Sequence, residues 1–288
     1  MGAADLIPGV SGGTVALITG IYRRLIDAIA ALNIDNLKCL IRGEFRCFWN
    51  NIDGNFLASL ALGILTSVFA FSHLIAYLLK NYPVPLWSFF FGLILASIYF
   101  VLKQAGKIRP LWWLFFLSGA IVAYWITSIS PEQGHESLIF IFLSGAVASM
   151  AMILPGISGS YILVILGMYA FILSSVNEMR ILVLAVFTLG VLTGLLGFSR
   201  ILKWLFNRFP GQTLVFLAGF LLGSLNKVWP WKNVLRSEMV NGKEIILEAK
   251  NVLPGNFSGD PAVLTALTAA LTGFVLVILL EKQSVKNG

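Results

Sequence analysis

Two stretches of the chain combine residue types that can hold an anion: "LIPGVSGGT", Leu6 to Thr14, and "ILPGISGSY", Ile153 to Tyr161. Each sets a Pro-Gly pair inside apolar sequence and follows it with serine, glycine and further hydroxyl residues. The proline interrupts the helical hydrogen-bond ladder. Glycine then permits close backbone approach, and serine caps a helix that starts again. A new helix start presents unpaired N–H donors and about half a positive charge, which suits a phosphate or carboxylate. The candidate substrate-binding residues are Pro8, Gly9, Ser11, Gly12, Gly13 and Thr14 in the first stretch. In the second they are Pro155, Gly156, Ser158, Gly159, Ser160 and Tyr161.

Few charged residues stand near these stretches. Asp5, three residues before Pro8, reads either as a proton-coupling carboxylate or as an interfacial residue near the N-terminus. Arg200 follows a Phe-Ser pair that also precedes His73, and either faces a cavity and pairs with phosphate or snorkels to the interface. Arg23 and Arg24 close the first stretch, where orientation in a membrane alone accounts for them. Enzymatic chemistry has little to build on. The only histidines, His73 and His135, have no cluster of partners, and no set of Asp, Glu or His has metal-ligand spacing. Cys39 and Cys47 share one polar loop without histidine, which supports neither a zinc site nor a redox pair. No cofactor is expected, and the chain does not read as an enzyme.

The elements that position these residues are helices in lipid. The 288 residues are 58% hydrophobic and 11% charged, with mean hydropathy +0.88, against about a quarter charged in soluble domains. Apolar segments fall at 6–32, 56–79, 86–102, 111–129, 137–175, 181–206, 212–226 and 262–280. Their lengths suit bilayer-spanning helices rather than the short alternating strands of a barrel. The fold class is therefore an all-α integral membrane protein. The net charge of +7 lies scattered between apolar segments, as the positive-inside rule produces, so nucleic acid is not implied.

The second stretch belongs to a repeat. With Pro8 on Pro155, seven of 15 positions are identical through Tyr22 and Tyr169. Residues 57–83 then lie over 184–210 with ten of 27 identical, and 90–98 lie over 217–225. The halves are 1–128 and 137–281, the second carrying an extramembrane loop at 227–261. Loop 33–55 and turn 103–109 hold three basic residues each, while loop 130–136 holds none. Placing basic loops in the cytoplasm makes the halves run in opposite directions, an arrangement of secondary transporters with a midplane site. The expected architecture is an inverted-topology repeat with two re-entrant helical hairpins, their tips at the Pro-Gly pairs, and about six full transmembrane helices. Segment 10–31 is also long enough to span fully.

The duplicated "PGVSGGT…GIYRRL" and "PGISGSY…GMY" closely resemble the polyprenyl-phosphate transporter family, over essentially the whole chain. The most specific part is "ADLIPGVSGGTVALITGIYRRLI", Ala4 to Ile26. The resemblance implies return of undecaprenyl phosphate, the lipid carrier of cell-wall glycan synthesis, from the outer to the cytoplasmic leaflet of the plasma membrane. It implies polyprenyl-phosphate lipid as the partner, within surrounding membrane lipids. Proton or ion coupling through Asp5, Glu132 or Glu136 fits that task, and the residues alone equally suit a small-anion transporter or channel. The first half lacks the lead-in that Ser137 to Val147 gives the second, so a natural start further upstream is expected.

Overall fold

A computed structural model describes residues 1–6, 11–132, 134–240 and 243–286. Short helices α1 (Gly2–Asp5), α2 (Gly12–Ile18) and α3 (Tyr22–Ala30) open the chain. Two more, α4 (Ile34–Ile41) and α5 (Phe45–Asn51), follow in the polar loop. Then come α6 (Gly54–Asn81), α7 (Pro83–Gln104) and α8 (Trp112–Ser128). The second half supplies α9 (Leu138–Ile153), α10 (Gly159–Ile165), α11 (Tyr169–Asn177), α12 (Ile181–Arg208) and α13 (Pro210–Val228). A β-hairpin, β1 (Lys232–Val240) and β2 (Lys243–Asn251), precedes the last helix, α14 (Val263–Lys286).

Among the described residues four helices, α6, α7, α12 and α14, are long and apolar enough to cross a membrane. α8 and α9 are apolar but shorter, and α10 meets α11 at 109° across a break. The bend falls at Gly167, whose φ of +65° is open to glycine at little cost. The protein is thus a helical membrane protein of the expected class, with one departure from all-α. The loop expected at 227–261 contains an antiparallel ribbon whose strands flank Asn241 and Gly242, the turn signal, which lie outside the described residues. The polar loop also departs from expectation, because α4 and α5 fold it back and bring the sulfurs of Cys39 and Cys47 to 2.8 Å. Glu44 lies close enough to share a metal ion with both thiols.

Element boundaries recur at fixed spacing. α2 and α3 reappear 147 positions on as α10 and α11, and α6 reappears 127 positions on as α12. The junctions match in conformation too. Tyr82 (φ −136°, ψ 52°) separates α6 from α7, and Phe209 (φ −137°, ψ 56°) separates α12 from α13. In both, proline takes the first helical position, where its missing N–H costs nothing, and forces the preceding residue out of the α region.

The core lies where α7 and α13 meet. Eleven of 22 residues of α7 and twelve of 19 of α13 are buried, against two of 28 in α6. The flanking helices are exchanged between the halves: α14 packs on α7, and α8 packs on α13. Backbones touch in both pairs. A Cβ at Gly92 would stand 1.9 Å from the carbonyl oxygen of Ala270, and one at the equivalent Gly219 1.9 Å from that of Phe116. Small residues make such an approach possible where no hydrophobic force between helices exists in lipid.

Candidate functional site

The described part of the first Pro-Gly stretch, Ser11 to Thr14, meets the second, 147 positions on in the repeat. α9 ends at Ile153, leaving its last carbonyls without intrahelical partners. Side chains of the other half supply them. The Ser11 hydroxyl donates to the Met152 carbonyl at 3.3 Å, and the Tyr22 hydroxyl donates to the Ile153 carbonyl at 3.1 Å. In the reverse direction the Gly156 N–H donates to Thr14 Oγ1 at 2.9 Å. Ser11, Thr14 and Tyr22 are buried, so these bonds form away from solvent. Gly13 also abuts the Ile153 carbonyl, which a Cβ would meet at 2.8 Å.

The contact yields a prediction. Thr14→Val keeps the shape of the side chain and leaves the Gly156 N–H without its acceptor, at a cost of about 1–2 kcal/mol. Thermal unfolding of purified protein should show the loss, with Thr14→Ser close to the parent. Equal stability of the valine variant would mean that the bond contributes nothing.

The two helix starts differ. At α2 the expected free donors are already taken: the Gly12 N–H donates to Asp5 Oδ1 at 2.7 Å and the Gly13 N–H to Ser11 Oγ at 3.1 Å. Asp5 therefore caps α2, and burial of Ser11, Gly12, Gly13 and Thr14 gives them a structural task. At α10 the Ser158 side chain caps no N–H. Its hydroxyl instead pairs with that of Ser160 at 2.7 Å, and Ser160 is exposed. Gly159 packs against the Ala148 carbonyl, and Pro155 is buried at the break. Pro8 and Gly9 lie outside the described residues.

Tyr161 and Gly156 dock the second stretch on α13. Gly156 faces Ser224, and one turn further on the Lys227 ammonium sits 4.0 Å from the Tyr161 ring centre. The Tyr161 hydroxyl donates to the Thr127 carbonyl at 3.0 Å, tying α10 to the end of α8. Asn226 completes the corner through Thr127 and Ser128. Lys232 extends over the Trp87 ring at 4.5 Å and donates to the Lys227 carbonyl.

Arg200 stands elsewhere, exposed, donating to the Leu32 carbonyl just beyond α3 at 3.4 Å. Near that end a cavity of about 390 Å³ is lined by Arg23, Arg24, Asp27, Asn51, Asp53 and Lys203 among others. Arg24 pairs with Asp53 at 2.5 Å and Lys203 with Asp27 at 3.3 Å, whereas Arg23 has only the neutral Asn207.

Sequence reasoning missed Lys227 and Lys232, counting them as loop charges. The signal was "NKVWPWK", Asn226 to Lys232, where two lysines interleave with tryptophans just as an apolar segment ends.

A family model described as "Undecaprenyl phosphate translocase-like" matches residues 1–245. A "Polyprenyl-phosphate transporter" of Vibrio cholerae is 45% identical to the chain, over 99% of this chain and 94% of that protein. A "Polyprenyl-phosphate transporter" of Staphylococcus aureus is 31% identical, over 80% of this chain and 83% of its own length. No solved structure matches.

Proposed function

The chain belongs to the undecaprenyl phosphate translocase-like family, transporters rather than enzymes, and from that premise we propose that it moves undecaprenyl phosphate from the outer to the cytoplasmic leaflet. The transfer returns the carrier to the plasma membrane's inner face for cell-envelope glycan synthesis. The observation that carries the mechanism is the contact of the two Pro-Gly stretches through Thr14, Gly156, Ser11 and Tyr22. Irregular backbone at membrane depth persists only when buried in protein or lining a polar cavity. Here Ser11, Gly12, Gly13 and Thr14 are buried and bonded, while the Ser158 and Ser160 hydroxyls at the second stretch bond only to each other.

The working architecture is two inverted repeats, 1–128 and 137–281, each a re-entrant hairpin followed by three crossings. Recurring boundaries, matched Tyr82 and Phe209 junctions and exchanged helix pairs support it. So do the basic residues of loop 33–55 and turn 103–109, read as cytoplasmic, and alternation of the crossings then leaves the β-hairpin outside. The phosphate group then enters beside Ser158, Ser160 and Tyr161 while the isoprenoid tail stays in lipid. Arg23, Arg24, Lys203 and Arg200 await it at the inner end. Asp5 is the coupling candidate: protonation weakens its hold on the Gly12 N–H and loosens the first tip from its partner.

The test reads the outer-leaflet pool of undecaprenyl phosphate in cells depleted of this protein and of redundant carriers, with a binder of the exposed phosphate. Depletion should enlarge the pool and re-expression should shrink it. The Ser158→Ala/Ser160→Ala variant, lacking two hydrogen bonds to the phosphate, should clear the pool about tenfold more slowly. A pool indifferent to depletion would instead favour a small soluble anion as the cargo.

A further inference from the structure

Two lysines meet at the outer end of α13 with no anion to answer them. Lys227 lies in the last turn of that helix and Lys232 opens β1, five residues on. Both are half-buried. Among the described residues no carboxylate comes within ion-pair distance of either ammonium, although five such pairs form elsewhere in the protein. Each lies over an aromatic face instead, Lys227 on Tyr161 and Lys232 on Trp87. An aromatic face attracts a cation but neutralises no charge.

The surroundings hold the pair in place. Trp229 meets Phe91 of α7 edge to face and donates to the Val252 carbonyl at 2.9 Å. Asn251 of β2 donates to Asn226, the residue before Lys227. The base of the ribbon is thereby tied to the end of α13 that carries Lys227. Burial, and then the neighbouring Lys227, hold the Lys232 ammonium well below the usual lysine range. Keeping a second ammonium beside Lys227 in this half-buried corner costs stability, and a dianion would reverse the effect.

We propose that Lys227 and Lys232, with the Tyr161 ring against Lys227 and the Ser158–Ser160 pair just before Tyr161 in the chain, form the outer entry site for a phosphomonoester dianion. The assignment rests on the transport reading above and names the groups that receive the phosphate first. A phosphomonoester carries between one and a half and two negative charges, roughly, and three strong acceptors near neutral pH. Two ammonium groups and a pair of hydroxyls joined only to each other match that demand. The lysines move off their aromatic faces onto the phosphate, and the serine pair opens to donate.

The test is equilibrium binding of labelled farnesyl phosphate to the purified full-length chain, with farnesol and inorganic phosphate as competitors. The intact chain should bind the probe, and farnesol should not displace it. Lys227→Gln/Lys232→Gln should bind at least about tenfold more weakly, while Lys227→Arg/Lys232→Arg stays close to the parent. Competition by inorganic phosphate at the affinity of farnesyl phosphate itself would identify a free phosphate site rather than a lipid headgroup site. Unchanged binding by a folded glutamine variant would overturn the lysine site while leaving transport standing. If the intact chain binds none of the probes, the site fails, and the leaflet assay decides the transport reading by itself.

Discussion

Gly92→Ala and Gly219→Ala should each destabilise the protein by about 3 kcal/mol or more, near the upper end of overpacking costs. The added Cβ would stand 1.9 Å from a backbone carbonyl oxygen in either case, so no side-chain adjustment relieves it. The helices must separate, and α7 and α13 are the most buried of the long helices. Gly63→Ala in α6 and Gly197→Ala in α12 provide the contrast. Nothing lies within 4 Å of either added Cβ, and alanine favours helix over glycine by about 1 kcal/mol. Thermal unfolding of the four purified variants should therefore fall in two groups. Equal losses at 92 and 219 would support a structural two-fold between the halves. A harmless Gly92→Ala would mean that the α7–α14 contact is looser than described.

Gly156→Ala should be nearly as costly, for a different reason. Gly156 has φ of +94°, where a side chain costs about 1–3 kcal/mol in backbone strain alone. Its Cβ would also stand 2.4 Å from Ser224 Oγ, and any shift of the residue endangers the N–H bond to Thr14. The contributions separate experimentally. Gly156→Ala/Ser224→Gly removes the collision and keeps the strain, so it should recover part of the lost stability. Full recovery would show that φ at this position is freely adjustable. Because Gly156 joins the two stretches, transport should fall along with stability in the single variant.

Much of this was legible in the sequence because lipid enforces simple rules. Apolar runs of fixed length gave the long helices, and the structure extends the segments expected at 86–102 and 212–226 back to Pro83 and Pro210. The pairing of Pro8 with Pro155 anticipated that α2 and α10 would share boundaries relative to the repeat. What stayed hidden depended on distant partners. Nothing near Asp5 in sequence says that its carboxylate will cap α2, because the bond depends on how the intervening chain turns. The ribbon 232–251 lay inside the extramembrane loop expected at 227–261, whose near-neutral charge gave no sign of strands. Lys227 was one charge of the loop 227–261, and only the approach of Tyr161 from another helix gives it a second meaning. Arg200 was singled out through the repeat, but repeat equivalence carries backbone position and not surroundings.

The exchange of helices between the halves bears on how the protein is made. The ribosome releases α7 long before α14, its packing partner, and α8 long before α13. Until then, the glycine faces of α7 and α8 must wait in the bilayer against lipid. The first half cannot reach its final packing while the second is unborn, so assembly completes only after α14 has been made. Nascent chains arrested before residue 210 should accordingly stay sensitive to protease, and those arrested after α14 has cleared the ribosome should not.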